Sequence, residues 1–276
     1  MTIKLIALDL DGTLFTDDLV ISERTREAIK AAQASGVLVT LATGRMFTSA
    51  RKIAGDLGID APLICYQGAL VRHSGTGETL YHKTVPLHLT HEIIAATARR
   101  GLHLNVYLDD RLYVAHMTEG ARYYSQINYG LELHEVGDLH AWLDAQEGQG
   151  PTKLVIVTPQ EQTDAVLAEF SGQYGEQLQV TKSHPRFTEF TNKECSKGTA
   201  LAFLAAYAGV RREEVMAIGD GHNDLDMLTW AGYGLAMPTA PQAVLDVAHS
   251  VCLPLHADGA AEAIERLVLT SSQPGK

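Results

Sequence analysis

Apolar positions along this chain fall mostly into short continuous runs, each stopped by a turn signal. Ile3 to Leu8 is such a run, and it breaks on Asp9-Leu10-Asp11-Gly12-Thr13. It reads as a buried parallel strand whose carboxyl end opens into a loop. Asp9 and Asp11 are two positions apart, so a strand's period of two aims both side chains to one side if the extended geometry lasts that far. Leu14 to Ile21 is too irregular to assign and suits a small flap over the Asp9 end. Ser22 suits an N-cap for a helix through Ala34, with Ala28, Ile29 and Ala32 on one face and Gly36 past its end. Val37 to Ala42 predicts a second buried strand, ending on Thr43-Gly44-Arg45. A helix from about Thr48 to Leu57 follows, closed by Gly58, and Pro62 to Cys65 is a third strand. The rhythm is that of a doubly wound sheet.

Gln67-Gly68-Ala69 interrupts it, and Ala69 to Val85, with Gly75 and Gly77 inside, reads as a hairpin leaving the sheet. From Pro86 to Pro185 helical stretches (Leu89 to Arg99, Thr163 to Phe170) mix with strand-like pieces (Leu102 to Leu108, Leu112 to His116, Lys153 to Thr158) around a polar span at Gln146 to Gly150. The core rhythm returns at Phe187. A helix over Lys197 to Ala208 leads to a strand at Val215 to Ile218, which ends on Gly219-Asp220-Gly221-His222-Asn223-Asp224. A helix from about Asn223 to Trp230, a short strand at Tyr233 to Ala236 and a helix over Gly259 to Leu267 complete the pattern. The expectation is an α/β fold: a doubly wound, mostly parallel Rossmann-like core (residues 1–84 and 188–276) carrying an inserted α+β domain (residues 85–187).

Bulk properties narrow the class. With 276 residues, 46% hydrophobic and 20% charged, the chain can bury a full core without staples. A net charge of −11 would repel a polyanion, which argues against nucleic acid as a partner. Cys65, Cys195 and Cys252 show no paired spacing, so neither a disulfide framework nor a zinc site is suggested. The N-terminal apolar run is too short for a signal peptide or a membrane span, and a cytoplasmic protein without membrane partners is expected. A monomer and a homodimer are equally open.

Three strand ends carry polar or acidic clusters, and parallel strands would bring them to one edge. Carboxylates grouped there need a counter-charge, and oxygen-only ligands select a hard cation, Mg²⁺ fitting best. The set Asp9-Leu10-Asp11-Gly12-Thr13, Thr43, Lys197 and Gly219-Asp220-Gly221-His222-Asn223-Asp224 resembles the four ordered motifs of the haloacid dehalogenase superfamily of phosphotransferases. The insertion resembles the large α+β cap of its Cof-type sugar-phosphatase-like branch.

The resemblance implies that Asp9 is a nucleophile forming an aspartyl-phosphate and Asp11 the general acid and base. Thr43 would hydrogen-bond the phosphate, Lys197 would steady nucleophile and transferring group, and Asp220 would hold Mg²⁺ with Asp9 and the main-chain carbonyl of Asp11. Asn223 and Asp224 would orient that metal shell. Backbone N–H groups of the Leu10 to Gly12 and Gly44 turns are the further donors expected at the phosphate. Negative neighbours would keep Asp11 protonated until the leaving oxygen needs the proton.

Arg45 could bind phosphate or form a surface ion pair. Gln67 stands where the resembling branch often has Asn, which leaves its role open, and His222 occupies a variable position. His88 and His91 have helical spacing but no third ligand. The reading is a Mg²⁺-dependent phosphatase acting on a small phosphorylated metabolite, a sugar phosphate by preference, with a cap that closes over the Asp9 edge. A phosphomutase using the same site, a DxD glycosyltransferase and a non-catalytic module binding phosphorylated ligands are the alternatives.

Overall fold

The computed structural model describes residues 2–15, 20–128 and 131–270, so Thr16 to Leu19, in the middle of the expected flap, lie outside the described residues. The chain forms two compact units, Met1–Tyr81 with Ser196–Lys276, and His82–Cys195. It begins with β1 (Leu5–Leu8), α1 (Glu23–Ala34), β2 (Leu38–Leu41), α2 (Phe47–Asp56), β3 (Pro62–Cys65), β4 (Leu70–His73) and β5 (Thr79–His82). The second unit carries α3 (Leu87–Arg99), β6 (His103–Leu108), β7 (Arg111–Val114), α4 (Glu119–Ile127), β8 (Leu133–Glu135), α5 (Leu139–Asp144), β9 (Lys153–Val157), α6 (Gln160–Tyr174), β10 (Leu178–His184) and β11 (Phe187–Asn192). The first unit is completed by α7 (Lys197–Tyr207), β12 (Val215–Gly219), α8 (Leu225–Trp230), β13 (Tyr233–Ala236), α9 (Gln242–Val247), β14 (Ser250–Val251) and α10 (Gly259–Ile264).

The first unit is built on a parallel sheet of order β14-β13-β12-β1-β2. All four residues of β1 are buried, because strands flank it on both edges and helices cover the sheet, which is why its sequence is apolar without alternation. Each fully buried Leu or Ile there contributes about 1.5–3 kcal/mol of transfer free energy. Helix α1 follows from its caps and spacing: the Ser22 hydroxyl accepts the Thr25 N–H, and Ala28, Ile29 and Ala32 form the buried face.

Register decides what the carboxyl edge presents. Leu8 lies opposite both Leu41 of β2 and Ile218 of β12, so the residues following these three strands emerge side by side. The chain also reverses its direction of growth at β1, with β2 on one side and β12 on the other. That reversal opens a crevice at the carboxyl edge, where open α/β sheets bind ligands. The Thr43 N–H donates to the Ile64 carbonyl at 2.9 Å, which sets β3 beside β2.

The second unit is a mixed sheet of order β10-β11-β9-β6-β7-β8. One face supplies Leu104, Val106, Leu154, Ile156 and Phe190 to a core with Ile93 of α3 and Phe170 of α6. The strand starting at Phe187 belongs to this sheet, antiparallel to β9 with Phe187 opposite Val157, and does not mark a return to the parallel core. Its Phe190 side chain explains why: it is needed in the core under α6. Helices α4 and α5, absent from the sequence expectation, occupy the stretch between β7 and β9 and are short, nine and six residues. Among the described residues no helix is long and apolar enough to cross a membrane.

On the opposite face of β6, buried His103 makes two hydrogen bonds. Its Nε2 bonds Asn105 Oδ1 at 2.8 Å as a donor, and its Nδ1 bonds the Thr118 hydroxyl at 2.9 Å, which also caps α4. Burial pushes the imidazole below its usual value, partly opposed by Asn105. The unfolded chain therefore takes up the proton first as pH falls, and stability drops below about pH 6.5, the ordinary histidine value. Urea unfolding at pH 7.5 and 5.5 should show a smaller acid loss in His103→Gln than in the wild type, and equal losses would remove His103 as the cause.

Candidate active site

Strand β1 ends at Leu8, and Asp9 is held immediately beyond it by its N–H donating to the Ile218 carbonyl at 3.0 Å. Lys197 is the first residue of α7, whose start is fixed by a capping box between Ser196 and Thr199. Its Nζ donates to Asp9 Oδ1 and to Asp224 Oδ1, each at 2.6 Å, and its side chain is fully buried. A cation at a helix start opposes the macrodipole, so these two carboxylates are what make the position tenable. Asp224 Oδ2 in turn accepts the N–H groups of Asp220 (3.0 Å) and Gly221 (2.9 Å), so the turn after β12 winds around this carboxylate.

Asp220 completes the cluster: Asp9, Asp220 and Asp224 each offer an oxygen within 4.8 Å of the others. The Thr13 hydroxyl donates to Asp220 Oδ1 at 3.1 Å, a role for the motif's threonine that its sequence position alone does not assign. Gly12 has φ +84°, and a Cβ there would stand 2.3 Å from Asp220 Oδ2. Glycine is thus required twice over, for conformation and for room.

Burial drives the Asp9 carboxyl well above the ordinary carboxylate range; Lys197 opposes this, while Asp224 and Asp220 add to it. Asp220 is raised as well, by burial first and then by Asp224, with the Thr13 hydroxyl opposing. Burial acts to lower the Lys197 ammonium, but Asp9 and Asp224 outweigh it and hold it above the usual lysine value.

Other residues singled out in the sequence stand around this cluster but not in it. Because β1 stops at Leu8, the period of two does not carry to Asp11. Its carboxylate is half exposed and forked on Arg45, with Nε at 2.9 Å and Nη2 at 2.5 Å. The expected negative neighbourhood of Asp11 is therefore corrected: its direct partner is a guanidinium, which also lies 5.1 Å from the Phe15 ring. The Leu10 side chain is buried, and its carbonyl accepts from Leu14 at 2.9 Å and Phe15 at 3.0 Å, closing the loop.

Buried Thr43 accepts the Arg45 N–H at 3.1 Å and keeps its hydroxyl proton to donate. Exposed Asn223 donates its amide to Gln67 Oε1 at 3.0 Å and does not join the carboxylates, and His222 is exposed too. Gln67 links two strand ends: besides holding Asn223, its amide lies against Gly44. Tyr66, Gln67 and Gly68 all have positive φ, and a Cβ on Gly68 would stand 2.0 Å from the Ser196 carbonyl, so this turn packs directly on the start of α7. That contact gives Gln67-Gly68 a function the sequence reading left open.

The haloacid dehalogenase-like hydrolase family model matches residues 6–264, spanning every strand end described above. This chain belongs to that family. YxeH of Bacillus subtilis is 30% identical over 279 residues, covering 96% of this chain and 98% of its own. The 5-amino-6-(5-phospho-D-ribitylamino)uracil phosphatase YitU of the same organism is 30% identical over 266 residues, with 93% and 94% covered. A solved haloacid dehalogenase-like hydrolase from Bacteroides thetaiotaomicron, 29% identical, superimposes with a TM-score of 0.85 over 96% of this chain and 99% of that one. The chain is an enzyme of the phosphoric monoester hydrolase class.

The residues present fit a divalent cation. One ammonium faces three carboxylates, and two of these are pushed toward holding a proton, which marks unmet demand for positive charge. Both oxygens of Asp224 already accept hydrogen bonds, from Lys197 and from the turn, which favours Asp9 and Asp220 as the side chains that would hold an ion. Oxygen donors alone suit a hard cation. In the metal-free protein, Lys197→Met should cost about 3–5 kcal/mol at neutral pH, because it strands buried carboxylates. The loss should shrink at pH 5 as Asp9 and Asp220 take up protons. Urea unfolding at both pH values measures it, and a loss independent of pH would contradict this account of the cluster.

Proposed function

We propose that the enzyme is a Mg²⁺-dependent phosphomonoester hydrolase that passes the phosphoryl group through an aspartyl-phosphate on Asp9. The observation that carries this reading is the buried Lys197 ammonium held 2.6 Å from Asp9, whose charge opposes the neutralisation that burial favours at this carboxylate. Asp9, Asp220 and the main-chain carbonyl of Asp11 would hold Mg²⁺, which when bound would supply the positive charge that lets an anionic phosphate approach the carboxylates.

In the first step an Asp9 oxygen bonds to phosphorus, the bond from phosphorus to the substrate oxygen breaks, and Asp11 gives that oxygen its proton. In the second, Asp11 takes a proton from water as the water oxygen bonds to phosphorus. The bond to Asp9 breaks, and inorganic phosphate leaves. Arg45 exchanges Asp11 for the phosphoryl oxygens when substrate binds, since a guanidinium fork accepts a phosphate as readily as a carboxylate, and this frees Asp11 for proton transfer. The Thr43 hydroxyl and the N–H groups of the Leu10 to Gly12 and Gly44 turns meet charge that spreads over the equatorial oxygens. Asn223, tied to Gln67, acts at the rim.

The substrate is a small phosphorylated metabolite, with a sugar or polyol phosphate favoured. YitU, by its name, acts on a phosphoribityl compound and supports that class. Phosphate release from a panel of sugar, polyol and nucleotide phosphates, with Mg²⁺ and with a chelator, tests the reading. Turnover should require the metal and fall on the order of a thousandfold or more in Asp9→Asn with the fold intact. Substantial turnover by that variant would remove Asp9 as nucleophile, and isomerised sugar phosphate without free phosphate would indicate a mutase.

A further inference from the structure

Lys197 is gripped twice from the same short stretch of chain. Asp224 takes its ammonium, and Asp226, two residues on, takes the backbone beside it: Asp226 Oδ2 accepts the Gly198 N–H at 3.2 Å. The other oxygen, Oδ1, accepts the Met227 N–H at 2.9 Å, so the carboxylate is fixed at both ends and bridges the first turns of α7 and α8. The approach is close. A Cβ on Gly198 would stand 2.8 Å from the Asp226 carbonyl carbon and oxygen, so the two turns touch through backbone.

We propose that Asp226 is a positioning residue for Lys197, acting through the Gly198 amide to set where the ammonium meets Asp9. The inference rests on the phosphatase reading above. Its physical basis is the placement of Lys197 at the first position of its helix. The Ser196 and Thr199 capping box satisfies the Thr199 N–H, and the Gly198 N–H is satisfied from outside by Asp226. Without that anchor the first turn frays, and the long Lys197 side chain starts from a backbone that can move. A carboxylate at this helix start also offsets the dipole that a cation there opposes. Among the described residues the hydrogen bonds of the Asp226 carboxylate go to the Gly198 and Met227 N–H groups and not to Asp9 or Asp220, so its route to the reaction runs through the backbone that carries Lys197.

The test compares Asp226→Ala with Asp226→Asn, whose amide oxygen can accept the same N–H. In Mg²⁺, Asp226→Ala should lose about tenfold or more in kcat with KM changed less than about threefold, because a displaced ammonium weakens the reacting geometry more than ground-state binding. Asp226→Asn should recover most of that kcat. In the metal-free proteins, amide hydrogen exchange at Gly198 should quicken in the Ala variant and stay slow in the Asn variant. Wild-type kcat in a folded Asp226→Ala overturns the inference, as does unchanged exchange at Gly198. If the Ala variant does not fold, the Asn variant decides: a folded Asp226→Asn with slow Gly198 exchange but kcat as low as tenfold down overturns it. Failure of the wild type to release phosphate from any substrate sinks the phosphatase reading instead, and leaves the exchange comparison standing.

Discussion

A buried ammonium shared between two carboxylates is the constraint on which this structure depends. Lys197 cannot be removed from water at a helix start unless Asp9 and Asp224 meet it at hydrogen-bond distance, and they come from strand ends far apart along the chain. Meeting that condition requires α7 to begin where β1 and β12 end. The parallel register of Leu8 with Ile218, the Gly68 turn packed on Ser196 and the Asp226 grip on Gly198 are all parts of that alignment. The apolar core of β1 therefore does more than stabilise: it holds the nucleophile candidate still.

The charge balance at the edge follows. A protein of net charge −11 must gather local positive charge if an anionic phosphate is to approach a cluster of three carboxylates. Lys197 supplies part of it from within the cluster, and Arg45 stands outside, already bound to a carboxylate through the fork that also suits two oxygens of a phosphoryl group. Asp9 and Asp11 differ in consequence. One is buried and clamped by an ammonium, the other half exposed on a guanidinium, although only Leu10 separates them. The proposed roles, nucleophile for Asp9 and proton carrier for Asp11, call for those two environments, since the first must be held in place and the second must exchange protons.

Family membership and the α/β class were legible from the chain because both rest on local signals. Apolar runs that end on Asp-Leu-Asp-Gly-Thr, on Thr-Gly-Arg and on Gly-Asp-Gly-His-Asn-Asp state where parallel strands stop, whatever the rest of the molecule does. The inserted unit was less legible. Helices α4 and α5 are only nine and six residues long and go unassigned, and the strand at Phe187 is indistinguishable by pattern from a core strand until its pairing with β9 is known. Nothing local to Gln67 or Asp226 marks their contacts, which depend on glycine backbones arriving from other segments.

By itself, then, the sequence determined which residue types sit at the ends of which strands, and with them the chemistry available: oxygen ligands, one lysine, one arginine and small turn residues. Only the tertiary structure decided how these divide. It put Asp9, Asp220 and Asp224 around Lys197, gave Asp11 to Arg45 and Asn223 to Gln67. The reason is geometric: strand periodicity ends where the strand ends, at Leu8, and beyond that point side-chain direction is set by loops whose course depends on what packs against them.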